Sequence, residues 1–464
     1  MVILAIVAHR FLRLDLTNDL VASLHPQALL TVLLALTLGW NVLTRSVSLR
    51  PSAVLLVQWG LWVWAMLSKV VADGPGWFSD FLRGDYAKDM LFATLVSMTA
   101  TSPSRLRATS WVVVATMAFI AVITIPQHSG PKQCYHYKLN GELNYDEQTD
   151  GRQCVGAADC FDVPKGEEHL REEGWACERT GTWGLATVLE RIHYVGNLVD
   201  PNALALALVM AAALGLGLLT WPRPSGSSLL QRLLLLGAVV LLGVAVVYAA
   251  SRAAQLALAL VLLCFFYVRF GLVGIVLAGL GGAPVVLISN RNAAEAAYST
   301  LTRIMTYMNG YDALWQHPLF GVGFANYEKI SFINAHNSFF QAITETGLIG
   351  GSLYLLGIYL AFKLVIGVAL WPGNDADLEA VELRHLARTL LAMLVGVVSC
   401  VFFLSLAFDV MWLFPVGIIA AFHGAVRQQL PEYELRVRGI ELLAVLLCGA
   451  LLPAAFLFFV TRNY

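Results

Sequence analysis

Charge is the scarcest commodity in this chain. Of its 464 residues only 13% are Asp, Glu, Lys or Arg, against about 25% in an ordinary soluble domain, which excludes a water-soluble protein built round one core. The 30 Lys and Arg balance 31 Asp and Glu to a formal net charge of -1. With no basic surplus, nothing holds a nucleic-acid backbone by charge. The N-terminal apolar run is short, and no small-residue cleavage site follows it, so no cleavable signal peptide is expected. Apolar residues are abundant: they make up 58% of the chain, with 38 Gly besides. They recur in runs near twenty long with few charges inside, which excludes disorder and suits the hydrocarbon core of a bilayer.

The expected fold is an all-α integral membrane protein of about twelve transmembrane helices. Spans are read near 26–44, 53–72, 87–102, 110–126, 201–221, 229–249, 253–268, 270–289, 338–371, 388–407, 409–426 and 438–460. Stretches such as Ala203 to Leu219 are apolar on every face, whereas a β-barrel needs alternation over about ten residues, so helices must satisfy the backbone. Residues 3–7 are too few to span, and the first two dozen residues read either as interfacial or as part of a thirteenth span.

Orientation follows from basic residues in short loops, which stay cytoplasmic. Arg45, Arg50, Arg105, Arg107, Arg223, Arg269, Arg427, Arg436 and Arg438 fall on one face of the alternation. The opposite, periplasmic face receives the 73–86 loop, the long loops at 127–200 and 290–337, and the turns at Ser251-Arg252 and Asp409. The acidic 372–387 loop gives this scheme no support. Cysteine usage tests it independently, because four of the seven Cys (134, 154, 160, 177) lie in the first long loop. Two disulfides are expected there, in an oxidising compartment, with three pairings open. Zinc is the rival reading, but Cys154 and Cys160 lack the short spacing of a zinc knuckle.

Ionisable residues near bilayer depth are costly unless paired or facing water, and several gather on the periplasmic face. Arg252 stands in a short turn, Arg191 precedes His193 and Asp200-Pro201-Asn202, Arg303 follows the polar start of the second loop, and His336 closes that loop. Individually, such arginines also read as interfacial anchors. Asp200 with Pro201 reads as a helix start, and His317 to Gly323 as a glycine-assisted turn. Gly347, Gly350 and Gly351 share a helix face and read as a close approach by a neighbouring helix. His336 needs no ionisable group for packing; it reads either as a helix-end residue bonded to a backbone carbonyl or as an imidazole that can accept a proton near neutral pH. Glu345 would lie roughly 13 Å away along a helix, too far to orient it.

His336-Asn337, nine intervening residues and Gly347-x-x-Gly350 resemble the signature of bacterial O-antigen ligases, with Ser251-Arg252, Arg303 and the 317–323 turn resembling the preceding parts of the same region. That superfamily also holds O-antigen polymerases and protein-glycosylating oligosaccharyltransferases. The resemblance covers about 250–351. It implies a GT-C-like glycosyltransferase fold in the bacterial inner membrane, a periplasmic active site, an undecaprenyl-diphosphate-linked O-antigen donor, a lipid A-core acceptor, and no metal; no cofactor is expected. His336 is the candidate catalytic base, and Arg191, Arg252, Arg303 and Asn337 the candidate substrate-binding residues. The chain then divides into N-terminal transmembrane helices (1–126), a periplasmic loop with four Cys (127–200), transmembrane helices (201–289), a periplasmic catalytic loop (290–337) and C-terminal transmembrane helices (338–464). An O-antigen polymerase is the alternative within the same chemistry. A non-enzymatic transporter of lipid-linked oligosaccharide would instead distribute cations through several spans, whereas here they gather at one face, with Lys69 a rare exception near a span end.

Overall fold

The computed structural model describes residues 2–16, 19–44, 51–136, 151–156, 158–161, 175–222, 228–287, 293–372 and 377–463; Arg45, Arg50 and Arg223 lie outside them. The described residues form an all-α membrane protein. Helices occur at Pro26–Leu43, Ala53–Asp73, Asp85–Thr99, Pro103–Thr124, Pro201–Leu219, Leu229–Tyr248, Arg252–Phe270, Leu272–Leu287, Ser338–Ala369, Leu378–Val401, Val410–Gln429 and Gly439–Asn463, one for each expected span. Nine stretches among the described residues are long and apolar enough to cross a bilayer by themselves, while Leu272–Ala283 and Gly439–Ala455 are shorter apolar segments. Asp85–Thr99 falls outside both groups. It carries Asp85, Lys88 and Asp89, and lies with Tyr86, Asp89 and Met90 buried against Val410–Gln429. The N-terminal apolar run becomes the Val2–Leu12 helix, about 16 Å long at 1.5 Å per residue and too short to span.

Pro201–Leu219 is apolar all round because it is surrounded: it packs against Pro103–Thr124, Leu229–Tyr248, Arg252–Phe270 and Leu378–Val401, and almost every residue in it is buried. Leu229–Tyr248, equally apolar, buries only Leu235, Leu242, Ala245 and Val246 and turns the rest outward, as a lipid-facing helix does. At one end of the bundle the Arg427 side chain donates to the Pro51 carbonyl (3.3 Å) and the Arg107 guanidinium lies over the Trp221 ring (5.3 Å). The opposite end holds every polar contact described below.

In the first long loop, strands β1 (Lys132–His136) and β2 (Trp175–Arg179) pair antiparallel. Cys134 and Cys177 face each other across this ladder, yet each bonds elsewhere: the disulfides are Cys134–Cys160 and Cys154–Cys177. With all four sulfurs bonded to one another, no thiolate remains for zinc. Glu178 accepts from the Thr187 hydroxyl (2.5 Å) and from the amides of Leu189 (2.6 Å) and Glu190 (3.0 Å). That carboxylate closes the turn in which Leu189 and Glu190 have positive φ, and the turn delivers Arg191.

The second long loop is not irregular throughout. The stretch read as a loop contains the Ala293–Gln316 helix. Its Thr302, Arg303, Thr306, Asn309, Asp312 and Gln316 keep it too polar for a span, so a hydropathy reading passes over it, while its Ala, Leu and Met residues favour the helix.

Candidate functional site

Gly347 shapes the site. It lies buried inside Ser338–Ala369 with φ 70° and interrupts that helix, so the expected single face of Gly347, Gly350 and Gly351 is corrected. A left-handed residue takes Gly347 off the helical path, and a Cβ there would strike the Leu319 backbone. Gly350 and Gly351 pack on Thr346 and Ile343 of the first half-helix, with Trp64 of Ala53–Asp73 beside Gly350. Breaking a helix inside a bilayer frees backbone groups that must find partners within the protein. The 317–323 turn supplies them. The Val322 and Gly323 amides donate to the Thr344 and Glu345 carbonyls (3.0 Å each), and the Leu348 amide donates to the Pro318 carbonyl (2.9 Å). Trp64 Nε1 donates to the Thr346 carbonyl (2.8 Å). Gly321 (φ 68°) and Gly323 (φ 100°) allow the turn to press this close.

The same turn leads into the segment ending at His336. That residue has φ 46°, follows buried Ala335 and is itself half-buried. Asn337 caps the helix, its side-chain oxygen accepting from the Phe340 amide (3.0 Å). The Ser338 hydroxyl donates to the Leu404 carbonyl (2.6 Å) and accepts from the Leu406 amide (2.8 Å), tying the 402–409 turn to the helix head. Burial lowers the pKa of His336 below that of an ordinary histidine; the Arg303 cation lowers it further and Asp200 opposes both. The imidazole is therefore neutral at neutral pH and able to accept a proton.

Of the expected arginines, the structure brings Arg303 into the field of His336. Arg303 is half-buried, and its buried Nε has no hydrogen-bond partner among the described residues, which is costly for a charged donor unless an anion arrives. Arg191 is buried and engaged: Nε donates to the Ala249 carbonyl (2.9 Å) and a terminal nitrogen to Asn202 Oδ1 (2.7 Å). It thereby ties the Asp200-Pro201-Asn202 helix start to the 249–252 turn. Arg252 is exposed at the first position of its helix, beside Ser251, whose buried hydroxyl has no hydrogen-bond partner among the described residues. Asp200 is the helix cap expected, accepting from the Asn202 amide (2.8 Å), but it also acts on His336, a role the cap pattern conceals. His193 is fully buried, which pushes its pKa down to about 4, and its ring Nδ1 lies 3.0 Å from the Tyr194 carbonyl. Glu345 does not orient His336. It accepts from the Ala325 amide (3.0 Å) and holds the preceding loop. Arg10 and Asp89 form a buried ion pair that span patterning gave no reason to expect; the signal was a basic cluster placed directly after an apolar run.

These features define a multi-pass helical membrane protein with a neutral imidazole and fixed cations gathered at one end. The model of a family described as O-antigen ligase matches residues 203–355, a segment that takes in Arg252, Arg303, His336 and the break at Gly347. That match, over about a third of the chain, supports the O-antigen ligase superfamily, a family that suggests a membrane glycosyl-transfer enzyme. No curated protein matches the chain.

Proposed function

We propose that the protein is an O-antigen ligase of the bacterial inner membrane, transferring O-antigen polysaccharide from undecaprenyl diphosphate to a sugar hydroxyl of lipid A-core. One observation carries the reading: a neutral, half-buried imidazole stands in the field of Arg303, whose buried Nε has no acceptor among the described residues. The first suits a base, and the second suits a diphosphate leaving group. In the proposed step the acceptor oxygen attacks the anomeric carbon and the carbon–oxygen bond to the diphosphate breaks. The hydroxyl proton passes to His336, and the configuration at that carbon inverts. Arg303 and Arg252 stabilise the charge gathering on the departing diphosphate, and no metal takes part. Arg191 holds the Asn202 and Ala249 segments that frame these groups; Asn337 caps the helix head, leaving only its amide group to meet substrate. The disulfides and the basic residues at the opposite end support a periplasmic site.

Reconstituted transfer tests the reading. Purified protein given lipid-linked donor and lipid A-core should form the conjugate, and His336→Ala should lower the rate by about 10² to 10⁴, the usual worth of a general base, without loss of folded protein. Chain growth with a second donor molecule as acceptor, and none on lipid A-core, would make the protein a polymerase. Undiminished transfer by His336→Ala would remove the histidine from the mechanism.

A further inference from the structure

The segment 325–331 runs between the two halves of the candidate site, and its contacts point outward from it in two directions. On one side, buried Asn326 accepts from Lys69 Nζ (2.8 Å) and donates to Asp73 (3.1 Å). Asp73 also pairs with Lys69 (2.9 Å) and Lys329 (2.6 Å). The Ala325 amide donates to Glu345, two residues before the helix break. On the other side, the Tyr327 hydroxyl donates to the Thr306 carbonyl (2.9 Å), the Ser331 and Thr306 hydroxyls lie 3.1 Å apart, and Asn309 donates to the Ile330 carbonyl (3.2 Å). Thr306 stands one turn beyond Arg303 on the Ala293–Gln316 helix. Five residues after Ser331 the chain reaches His336. Lys69, an exception near a span end in the sequence pattern, is thus engaged by Asn326 and Asp73.

We propose that this strap is a positioning device, in which Asp73 and Lys69 hold Asn326, Tyr327 and Ser331 so that the Arg303 helix is set at a fixed distance from His336. The inference rests on the glycosyl-transfer reading above. None of the five residues touches the reacting groups; they act through Arg303 and His336. A displacement of about 1 Å at a reacting centre can cost about 10²-fold in rate, and the Tyr327 bond is the mildest point at which to loosen the strap.

The test is Tyr327→Phe, which removes one hydroxyl and no bulk, with Asp73→Asn as a second variant acting from the other side. Expected for each is a fall in kcat of about tenfold with KM for the lipid-linked donor changed less than about twofold and an unaltered melting temperature for Tyr327→Phe. The charged groups acting on His336 are Arg303 and Asp200, with Tyr307 beside Arg303; Glu345, Lys69, Asp73 and Lys329 hold the strap. Loosening it weakens the Arg303 field, so the acid limb of kcat/KM moves to higher pH. A merely structural role would lower the yield of active protein without moving that limb. Full kcat and an unmoved limb in Tyr327→Phe would overturn the strap. A wild-type protein that transfers to neither acceptor would instead overturn the functional reading.

Discussion

The two long loops at the site end of the bundle are held differently, although the first also meets the bundle through Arg191. The first, entered at residue 127, is stapled to itself: two disulfides and a two-stranded ladder close it, and Glu178 knots its last turn. The second, entered after Leu272–Leu287, has no disulfide among its described residues. It is bound to the membrane helices instead, through the break at Gly347, the Lys69–Asp73 pair and buried Glu345. Covalent staples make a loop robust whatever lies beneath it. Bonds to spans make a loop's geometry depend on the bundle, which is what a site needs when groups from distant parts of the sequence must meet within a fraction of an ångström.

The largest effect that separates the loops should come from Arg303. Arg303→Ala is expected to lower kcat/KM by about 10² to 10³, the usual worth of one preorganised donor to developing charge, and Arg303→Lys should recover little of it for want of the planar fork. Removing the guanidinium also removes one of the influences that depress the His336 pKa, so the acid limb of kcat/KM in Arg303→Ala should move to higher pH. Steady-state transfer kinetics across pH check both. Full activity in Arg303→Lys would reduce the role to simple positive charge.

The first loop should fail differently. Opening Cys154–Cys177 with paired serines releases a loop of 23 residues, worth about 3 kcal/mol of unfolding free energy in the chain-entropy account, while kcat in the protein that stays folded should change less than about twofold. Thermal unfolding with and without reductant, set beside transfer rates at a temperature where the variant is folded, makes the measurement. A large loss of kcat with unchanged stability would mean that the first loop shapes the reacting geometry and that the contrast between the loops is wrong.

Much of this was legible in the residues, and what was not has physical reasons. Spans were readable because the bilayer demands long apolar runs, and the cysteines were readable as disulfides because free thiols seldom cluster in a polar loop; their pairing was not, since Cys134 and Cys177 lie opposite in the ladder without bonding. His336 stood out because an ionisable group at a span end needs a reason, and Arg303 because it follows the polar start of the second loop in a region that resembles the family's. The Gly347 break was invisible because the sequence around it continues an apolar helical period, and a glycine in such a run reads as packing until the 317–323 turn is seen seated against it. The Ala293–Gln316 helix was hidden by its polarity. Asn337 shows a second role the sequence did not suggest: its oxygen caps the helix by accepting from the Phe340 amide.

The smallest and most discriminating change is at Asp200, where the first loop hands over to the membrane and contributes a charge to the second loop's histidine. Its carboxylate favours the imidazolium form of His336, against the effects of burial and Arg303. Asp200→Asn keeps a side-chain oxygen for the Asn202 amide, so the helix cap survives at a cost of no more than a few tenths of a kcal/mol, and only the charge is lost. The folded-state pKa of His336 then falls further, and the acid limb of kcat/KM moves to lower pH while the plateau rate changes little. Because the unfolded-state value is unaffected, the neutral imidazole of the variant also persists to lower pH in the folded protein. An acid limb that stays in place would mean that Asp200 serves the helix alone, and that the two loops meet at this end of the bundle without sharing an electrostatic field.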